Sequence, residues 1–265
     1  MRYTFDHDLH IHSKLSLCAE DTTQTPQNIL RRAEELGLTT ICLTDHYWDE
    51  NVPGASPWYT RQGYDHISEA LPLPQSENVR FLFGCETDLD RFLTVGIAKE
   101  TFEKFDFVII PTTHFHMKGF TMSEEDSATP QTMADAWVKR LDAVLQMDIP
   151  FRKVGLAHLT CSLIAPKQYT EVIACVPTEE MVRLFTRAAE LGVGIELNRD
   201  DMKNAKCGDS EALLRPYRIA KQCGCKFYLG SDAHDQGLFS KCKDFFEWAI
   251  DTLALTEEDK FIIGA

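Results

Sequence analysis

The chain has 265 residues and a formal net charge of −14, and apolar residues make up 44% of it, enough for a sizeable core. No apolar stretch reaches the length that spans a bilayer, and the acidic balance repels a nucleic-acid backbone over any broad surface. The composition therefore excludes a membrane-spanning protein and argues against a general nucleic-acid-binding protein.

The first residues contain no apolar segment of the secretory type. The nine cysteines are odd in number and include no C-x-x-C pair. This pattern favours free thiols in a reducing compartment over a disulfide framework. We therefore expect a cytoplasmic protein.

Strand-like and helix-like segments alternate along the chain, with no repeat and no obvious linker. The first strand leads into Asp8, and later strands are predicted at residues 39–43, 79–84, 105–110, 153–157, 193–195 and 226–229. Helices are predicted at residues 26–36, 65–71, 130–145, 177–191, 210–222 and 243–255. This alternation and the chain length are typical of a closed α/β barrel with parallel strands. We expect a single domain over residues 1–265.

A long segment, residues 47–64, follows the second predicted strand and contains two prolines and two tryptophans. Loops of this length without secondary structure of their own are often functional. The segment is therefore expected to cover a site.

Each predicted strand delivers a histidine or a carboxylate near its C-terminal end. In a parallel barrel these ends share one rim, so the side chains are expected to converge there. The residues concerned are His10, His12, Asp45, His46, Glu86, His114, His158, Glu196, Asp232 and His234.

Several of these positions are spaced i,i+2, which places both members of a pair on one face of an extended chain. His10 and His12 then face the same way, while Leu9 and Ile11 point to the opposite, buried face. Two neighbouring neutral imidazoles suit a divalent metal ion. The other pairs with this spacing are His114/His116, Glu196/Asn198 and Asp232/His234. Glu196 and Asn198 are interpreted as hydrogen-bond partners of ligands or as contacts to substrate.

The motifs occur together in a recognisable order: D-L-H-I-H-S at 8–13, L-T-D-H at 43–46, G-C-E at 84–86, T-H at 113–114, A-H at 157–158 and G-S-D-A-H at 230–234. In this combination the chain resembles the PHP (polymerase and histidinol phosphatase) family over nearly its whole length. The resemblance implies a distorted, TIM-like (β/α)7 barrel with a metal site at the C-terminal ends of the strands. It also implies phosphoester hydrolysis as the activity.

Carried over position by position, the resemblance implies two or three divalent ions. One ion would be held by His10, His12, Glu86 and Asp232. A second would be held by His46 and His234. The third would be held by Glu86, His114 and His158, with Glu86 bridging. Mixed imidazole and carboxylate ligands suit zinc, manganese or iron without choosing among them.

The chain departs from the family pattern after the first motif. Many members carry a further histidine or aspartate there, whereas residues 15–21 read L-S-L-C-A-E-D. Cys18 lies near the position of a histidine in the histidinol phosphatases, and a thiolate would soften the second site towards zinc. Cys18 is therefore a candidate ligand. The alternatives are that Cys18 is a buried thiol and that Asp21 substitutes for it.

Such a ligand set can support phosphoester hydrolysis without a protein nucleophile. A hydroxide bridging two cations forms near neutral pH and can attack phosphorus in line. The leaving alkoxide needs a proton or a cation, and the catalytic candidates for this role are Asp232, His234 and a metal-bound water. Arg199, Lys118 and His116 are the candidates for contact with the substrate, because phosphate favours nearby cations.

We expect a metal-dependent phosphoesterase that hydrolyses a small phosphomonoester, with a histidinol-phosphatase-like substrate. A phosphodiesterase or nuclease of the same family remains an alternative, as does a non-catalytic, metal-dependent binding module. An amidohydrolase-like enzyme is a third alternative, since fold analogy alone does not separate these activities. Nucleotide-binding G-x-x-x-x-G-K-[ST] and G-x-G-x-x-G motifs and the G-x-S-x-G motif are absent from the sequence.

Overall fold

A computed structural model describes residues 1–264 and confirms the predicted seven-stranded α/β barrel. The strands follow one another around the sheet in chain order, and every neighbouring pair is parallel. They are β1 (His7–Ile11), β2 (Thr40–Leu43), β3 (Arg80–Glu86), β4 (Phe107–Pro111), β5 (Val154–Ala157), β6 (Gly194–Asn198) and β7 (Lys226–Gly230). Each strand lies within a few residues of its predicted position.

The barrel closes between its first and last strands at the rim where the C-terminal ends meet. The amide of Asp232 donates to the carbonyl of His10 at 2.7 Å, and the amide of His12 donates to the carbonyl of Ala233 at 3.1 Å. The seam therefore joins two motifs at opposite ends of the sequence. It brings D-L-H-I-H-S and G-S-D-A-H into direct contact.

Nine α-helices cover the outside of the barrel within residues 1–264. They are α1 (Pro26–Leu36), α2 (Tyr64–Ile67), α3 (Pro130–Leu145), α4 (Tyr169–Cys175), α5 (Thr178–Leu191), α6 (Arg199–Cys207), α7 (Ser210–Gln222), α8 (Gln236–Ser240) and α9 (Lys243–Thr252). At the start of α1 the Thr25 side chain accepts a hydrogen bond from the amide of Asn28, and at its end Gly37 adopts a left-handed conformation with φ 73°.

The sequence did not predict α4, α6 or α8. Helix α6 begins directly after β6, where the Asn198 side chain accepts a hydrogen bond from the amide of Asp200 at 2.9 Å. Asn198 was expected to contact a ligand or the substrate. In the structure its side-chain oxygen is an N-cap.

The buried apolar side chains form two clusters. The small cluster fills the barrel and includes Leu9, Tyr228 and Phe261. The large cluster packs between the strands and the helices and includes Ile11. Leu9 and Ile11 therefore do not share a face, contrary to the sequence prediction. A register irregularity between Asp8 and Ile11 interrupts the alternation of β1.

None of the helices in residues 1–264 has both the length and the hydropathy that crossing a bilayer requires.

Candidate metal centre

Eight histidine and carboxylate side chains meet at the C-terminal rim of the barrel, and all eight were predicted to converge. We call six of them the inner group: His10, His12, Glu86, His114, His158 and Asp232. The other two, His46 after β2 and His234 after β7, form the outer group together with Cys18 from the loop after β1.

The inner group contains closely spaced donor atoms on its β1 side. His10 Nε2 and His12 Nε2 lie 3.0 Å apart. Asp232 Oδ1 lies 3.2 Å from His12 Nε2, and Glu86 Oε2 lies 3.3 Å from the same nitrogen. Two imidazoles and two carboxylates thus face one point.

Glu86 also faces a second set of nitrogens. Its Oε1 lies 3.5 Å from His158 Nε2 and 3.8 Å from His114 Nε2. Its Oε2 lies 3.0 Å from Nδ1 of His46 in the outer group. Glu86 is therefore placed between the groups of ligands that the sequence assigned to different ions.

The outer group lies against His12. The His12 and His234 rings stack with centroids 4.2 Å apart, and the centroids of His12 and His46 are 4.5 Å apart. Ligand atoms of His12, His46 and His234 lie within 4.8 Å of one another. His234 Nε2 lies 3.0 Å from the sulfur of Cys18.

Hydrogen bonds fix the orientation of the inner imidazoles. Glu196 Oε1 lies 2.6 Å from His10 Nδ1, and Asp88 Oδ2 lies 3.0 Å from His114 Nδ1. A carboxylate accepts only, so each Nδ1 carries a proton, and Nε2 is the nitrogen left to bind a metal ion. Glu196 therefore has the orienting role that the sequence suggested.

Ser16 and Asp45 orient His12 in the same way. The Ser16 hydroxyl donates to Asp45 Oδ1 at 2.6 Å, so its oxygen accepts from His12 Nδ1 at 2.9 Å. Asp45 also accepts from the amide of Ser13 at 2.7 Å. Asp45 thus holds the loop after β1 instead of facing the centre.

Asp88 and Ser16 were not predicted from the sequence. Asp88 stands two residues after Glu86, so it shares the i,i+2 spacing that identified His10 and His12. That spacing could have found it. Ser16 lies in a loop, and no periodic signal points to it.

Two inner ligands adopt backbone conformations that non-glycine residues seldom populate. His158 has φ 60° and Asp232 has φ 52°. The His158 amide donates to Glu196 Oε2 at 3.1 Å, which helps to hold this conformation. Gly230 is the last residue of β7 and stands two positions before Asp232. A Cβ atom on Gly230 would collide with the Glu196 side chain and lie 2.8 Å from His10 Cβ. Glycine is therefore required for this close approach.

The carboxylates of the inner group are ionised. Burial raises the pKa of Glu86, but its interactions with the His46 and His10 imidazoles and the hydrogen bonds from His10 and His12 outweigh burial and hold that pKa well below its usual range. Burial lowers the pKa of His10, but the negative charges of Glu196, Glu86 and Asp232 raise it well above its usual range. The centre therefore holds concentrated negative charge that requires positive charge beside it.

The donor atoms fit divalent cations. Ligand atoms that surround a tetrahedral ion at 2.0–2.2 Å stand about 3.4 Å apart, and the contacts described above span 3.0 to 3.8 Å. Glu86 Oε1 and His46 Nδ1 are buried and form no hydrogen bond within residues 1–264. Unpartnered buried polar atoms are costly in a folded protein unless another partner binds them. The residues present therefore suit a metal centre.

A cleft of about 500 Å³ opens above the centre. Its walls are largely aromatic and apolar, and the loop at residues 47–64 supplies part of them as expected. The apolar and aromatic wall residues are Trp58, Tyr59, Met117, Phe120 and Leu163. Trp58 stands edge-on to His46 with ring centroids 5.0 Å apart.

The substrate-contact candidates differ in position. Lys118 and His116 line the cleft, and Lys118 is the only lysine or arginine on its wall among the described residues. Arg199 does not line the cleft in this part of the chain. It is buried at the start of α6 and pairs with Asp200 at 2.8 Å. Asp21, the alternative to Cys18 as a ligand, lies in a turn, where its carboxylate accepts a hydrogen bond from the amide of Thr23 at 2.8 Å.

The PHP domain family model matches residues 8–200. The chain belongs to the PHP domain family. This confirms the resemblance that the motifs indicated, and the matched residues include the C-terminal ends of β1 to β6.

The chain is also similar to a curated phosphatase in sequence and to two solved structures in fold. A probable phosphatase of Thermoanaerobacter sp. (strain X514) is 25% identical over 219 residues, which cover 80% of this chain and 74% of the relative. The crystal structure of histidinol phosphate phosphatase from Lactococcus lactis subsp. lactis, complexed with zinc, L-histidinol and phosphate, is 18% identical with a TM-score of 0.59. It covers 97% of this chain and 98% of that chain. A Listeria monocytogenes structure gives the same TM-score of 0.59 at 15% identity, covering 89% and 98%. These structural matches show a common PHP fold.

Proposed function

We propose that this protein is a metal-dependent phosphoesterase that hydrolyses a small phosphomonoester. The observation that carries the proposal is the convergence on Glu86 of imidazoles from four other places on the rim, with their Nε2 or Nδ1 atoms aimed inward. Membership in the PHP family and the relative named as a probable phosphatase support the same class of reaction.

Two or three divalent ions, of zinc, manganese or iron, would be held by these side chains. The first would be held by His10, His12, Glu86 and Asp232. The second would be held by His46 and His234. The third would be held by Glu86, His114 and His158. When bound, such cations activate water near neutral pH and neutralise phosphoryl oxygens.

The chain's own residues then bind and orient the reactants. Lys118 at the cleft wall provides a mobile cation for the phosphate. Positive charge on His10 and a hydrogen bond from His12 outweigh burial and keep the pKa of Asp232 well below its usual range. Burial, followed by the charge of His12, lowers the pKa of His234. Both catalytic candidates are therefore deprotonated at neutral pH and suit the accepting side of proton transfer from the attacking water.

The shape of the cleft favours a substrate with a planar leaving group. Trp58, Tyr59 and Phe120 provide aromatic surface beside the centre, and aromatic faces stack on planar rings. A histidinol-like imidazole fits this description. The histidinol and phosphate bound in the Lactococcus lactis neighbour support that choice.

The decisive experiment measures phosphate release from a panel of phosphomonoesters and one phosphodiester. The protein is prepared metal-free and then reconstituted separately with zinc, manganese and iron, with metal content recorded. We expect turnover of monoesters that EDTA abolishes and metal restores. Histidinol phosphate and an aryl phosphate should exceed glycerol phosphate in kcat/KM.

Other outcomes would identify the alternatives. Turnover confined to the diester would indicate a phosphodiesterase. Tight binding of a phosphomonoester to fully metal-loaded protein without hydrolysis would indicate a binding module. Release of product from an amide or amidine with no phosphate turnover would indicate an amidohydrolase-like enzyme.

A further inference from the structure

We propose that Cys18 is a thiolate ligand of an ion held by the outer group, together with His46 and His234, and that it makes this position selective for zinc over manganese. The proposal rests on the metal centre of the proposed function. It concerns a residue that departs from the usual ligand chemistry of the family motifs, and it can be tested without any substrate.

The tautomer of His234 leaves its Nε2 lone pair beside the sulfur of Cys18. His234 Nδ1 lies 2.9 Å from the carbonyl oxygen of Asp232, which can only accept. Nδ1 therefore carries the proton, and Nε2 holds a lone pair. That nitrogen lies 3.0 Å from Cys18 Sγ. A nitrogen lone pair and a thiol in this arrangement share a proton in the metal-free protein and can share a cation when the proton leaves.

The histidines on this side of the centre independently indicate a cation site, because ligand atoms of His12, His46 and His234 lie within 4.8 Å of one another. His46 is 7% exposed, and its Nδ1 forms no hydrogen bond within residues 1–264. Cys18, His46, Glu86 and His234 all line the same cleft. The outer group thus contains a buried imidazole nitrogen without a hydrogen bond in the described residues, and a cation is a natural partner for it.

The loop that carries Cys18 is held on both sides of the residue. The amide of Leu17 donates to Gln62 Oε1 at 3.0 Å, and the amide of Ala19 donates to the carbonyl of Ser16 at 2.9 Å. The Ser16 hydroxyl is fixed in turn by Asp45 and His12. The backbone on both sides of Cys18 is therefore held in place by the folded loop.

The chemical class of the ion follows from the ligands. A thiolate is a soft ligand that favours zinc over manganese, whereas an oxygen or a third imidazole discriminates less. The inner group contains only imidazole and carboxylate and has no comparable preference. Two positions in one centre would then differ in metal selectivity.

Cobalt substitution tests the ligand directly. Cobalt(II) bound to a thiolate gives an intense charge-transfer absorption in the near ultraviolet, and this absorption does not require turnover. We expect the band in wild-type protein loaded with cobalt and its loss in Cys18→Ser. It should persist in the matched control Cys207→Ser, since Cys18 and Cys207 are the two exposed cysteines among residues 1–264.

Competition between zinc and manganese gives a second measurement. Cys18→Ser should lower the zinc affinity of one site by at least about 10-fold and leave its manganese affinity nearly unchanged. Cys18→His should restore zinc binding without the cobalt band. This variant keeps the test valid if the serine variant folds poorly, and circular dichroism reports folding of both.

Several outcomes would overturn the proposal. One is wild-type protein that binds cobalt fully without the band. Another is a band that survives in Cys18→Ser and disappears in Cys161→Ser, because the thiolate would then lie on the other side of His158, where Cys161 and Asp201 form a separate group. A band without phosphatase activity would refute the proposed function and leave the ligand assignment intact.

Discussion

The inner and outer groups of the metal centre are built differently. Inner imidazoles stand on or next to strands and donate their Nδ1 protons to buried side chains such as Glu196 and Asp88. In the outer group, His234 donates to a backbone carbonyl, and Cys18 comes from a loop. The inner group is therefore positioned by strands and by paired charge, whereas the outer group is positioned by loop backbone and by a carbonyl group.

Removing the charge of Glu86 should have the largest effect, because Glu86 contacts both groups. Glu86→Gln is expected to lower kcat/KM at least about 1000-fold, a loss of about 4 kcal/mol in transition-state stabilisation. Elemental analysis should show the loss of more than one ion. The exposed Glu103→Gln serves as the control. Loss of a single ion would show that Glu86 does not bridge.

Glu196→Gln should have an intermediate effect confined to the inner group. The substitution removes a negative charge that fixes the His10 tautomer, and changes of this kind cost about 10–100-fold in metal affinity. Zinc affinity of the inner position is the measurement, and the cobalt band of the outer group should not change. Glu190→Gln is a matched control because Glu190 lies on the exposed face of α5 and forms an ion pair with exposed Arg187 at 3.1 Å. Equal weakening of both positions would contradict the separation of the two groups.

The same contrast explains what the sequence could reveal. Strand ends are regular, so the buried runs and the polar residues that follow them located all seven strands and the inner group. His10 and Asp232 are separated by most of the chain, yet the parallel topology alone brought them together.

Residues in loops and outside the strand pattern were harder to predict. Trp58 and Ser16 take their positions from loop conformations that depend on tertiary contacts such as that between Leu17 and Gln62. Arg199 was placed near the substrate because it follows a strand. The helix that begins at this residue turns its side chain into the protein instead. A pattern of alternating faces does not contain that information.

The pH dependence of stability should also differ between the metal-free and metal-loaded forms. Folding raises the pKa of His10 and His158, since the carboxylates around them outweigh burial. This stabilisation is complete below the unfolded histidine pKa of about 6.5 and is lost as pH rises through the folded values. Glu86 and Asp232 have lowered pKa values, so their stabilisation is lost as pH falls through those folded values.

Metal-free protein should therefore be most stable in mildly acidic solution. Its Tm should fall as pH rises above about 6.5 and through the raised pKa values of His10 and His158, by about 2–4 °C for each kcal/mol lost. Zinc-loaded protein should not show this decline, because ion binding requires the deprotonated ligands and strengthens as pH rises. Differential scanning calorimetry of both forms measures the difference. Parallel curves for the two forms would mean that the inner imidazoles are neutral without metal.

The smallest expected effect is on substrate binding at the cleft wall. Lys118→Ala removes an exposed cation, and interactions of exposed charges contribute about 1 kcal/mol or less, so KM for a phosphomonoester should rise about 5-fold or less while kcat stays nearly constant. Arg199→Met should leave both constants unchanged, although it removes a buried side chain and lowers Tm. The two variants separate a cation that meets the phosphate from one that serves the fold. A raised KM in Arg199→Met with normal Lys118→Ala kinetics would require a closed state of the cleft in which α6 supplies the phosphate contact.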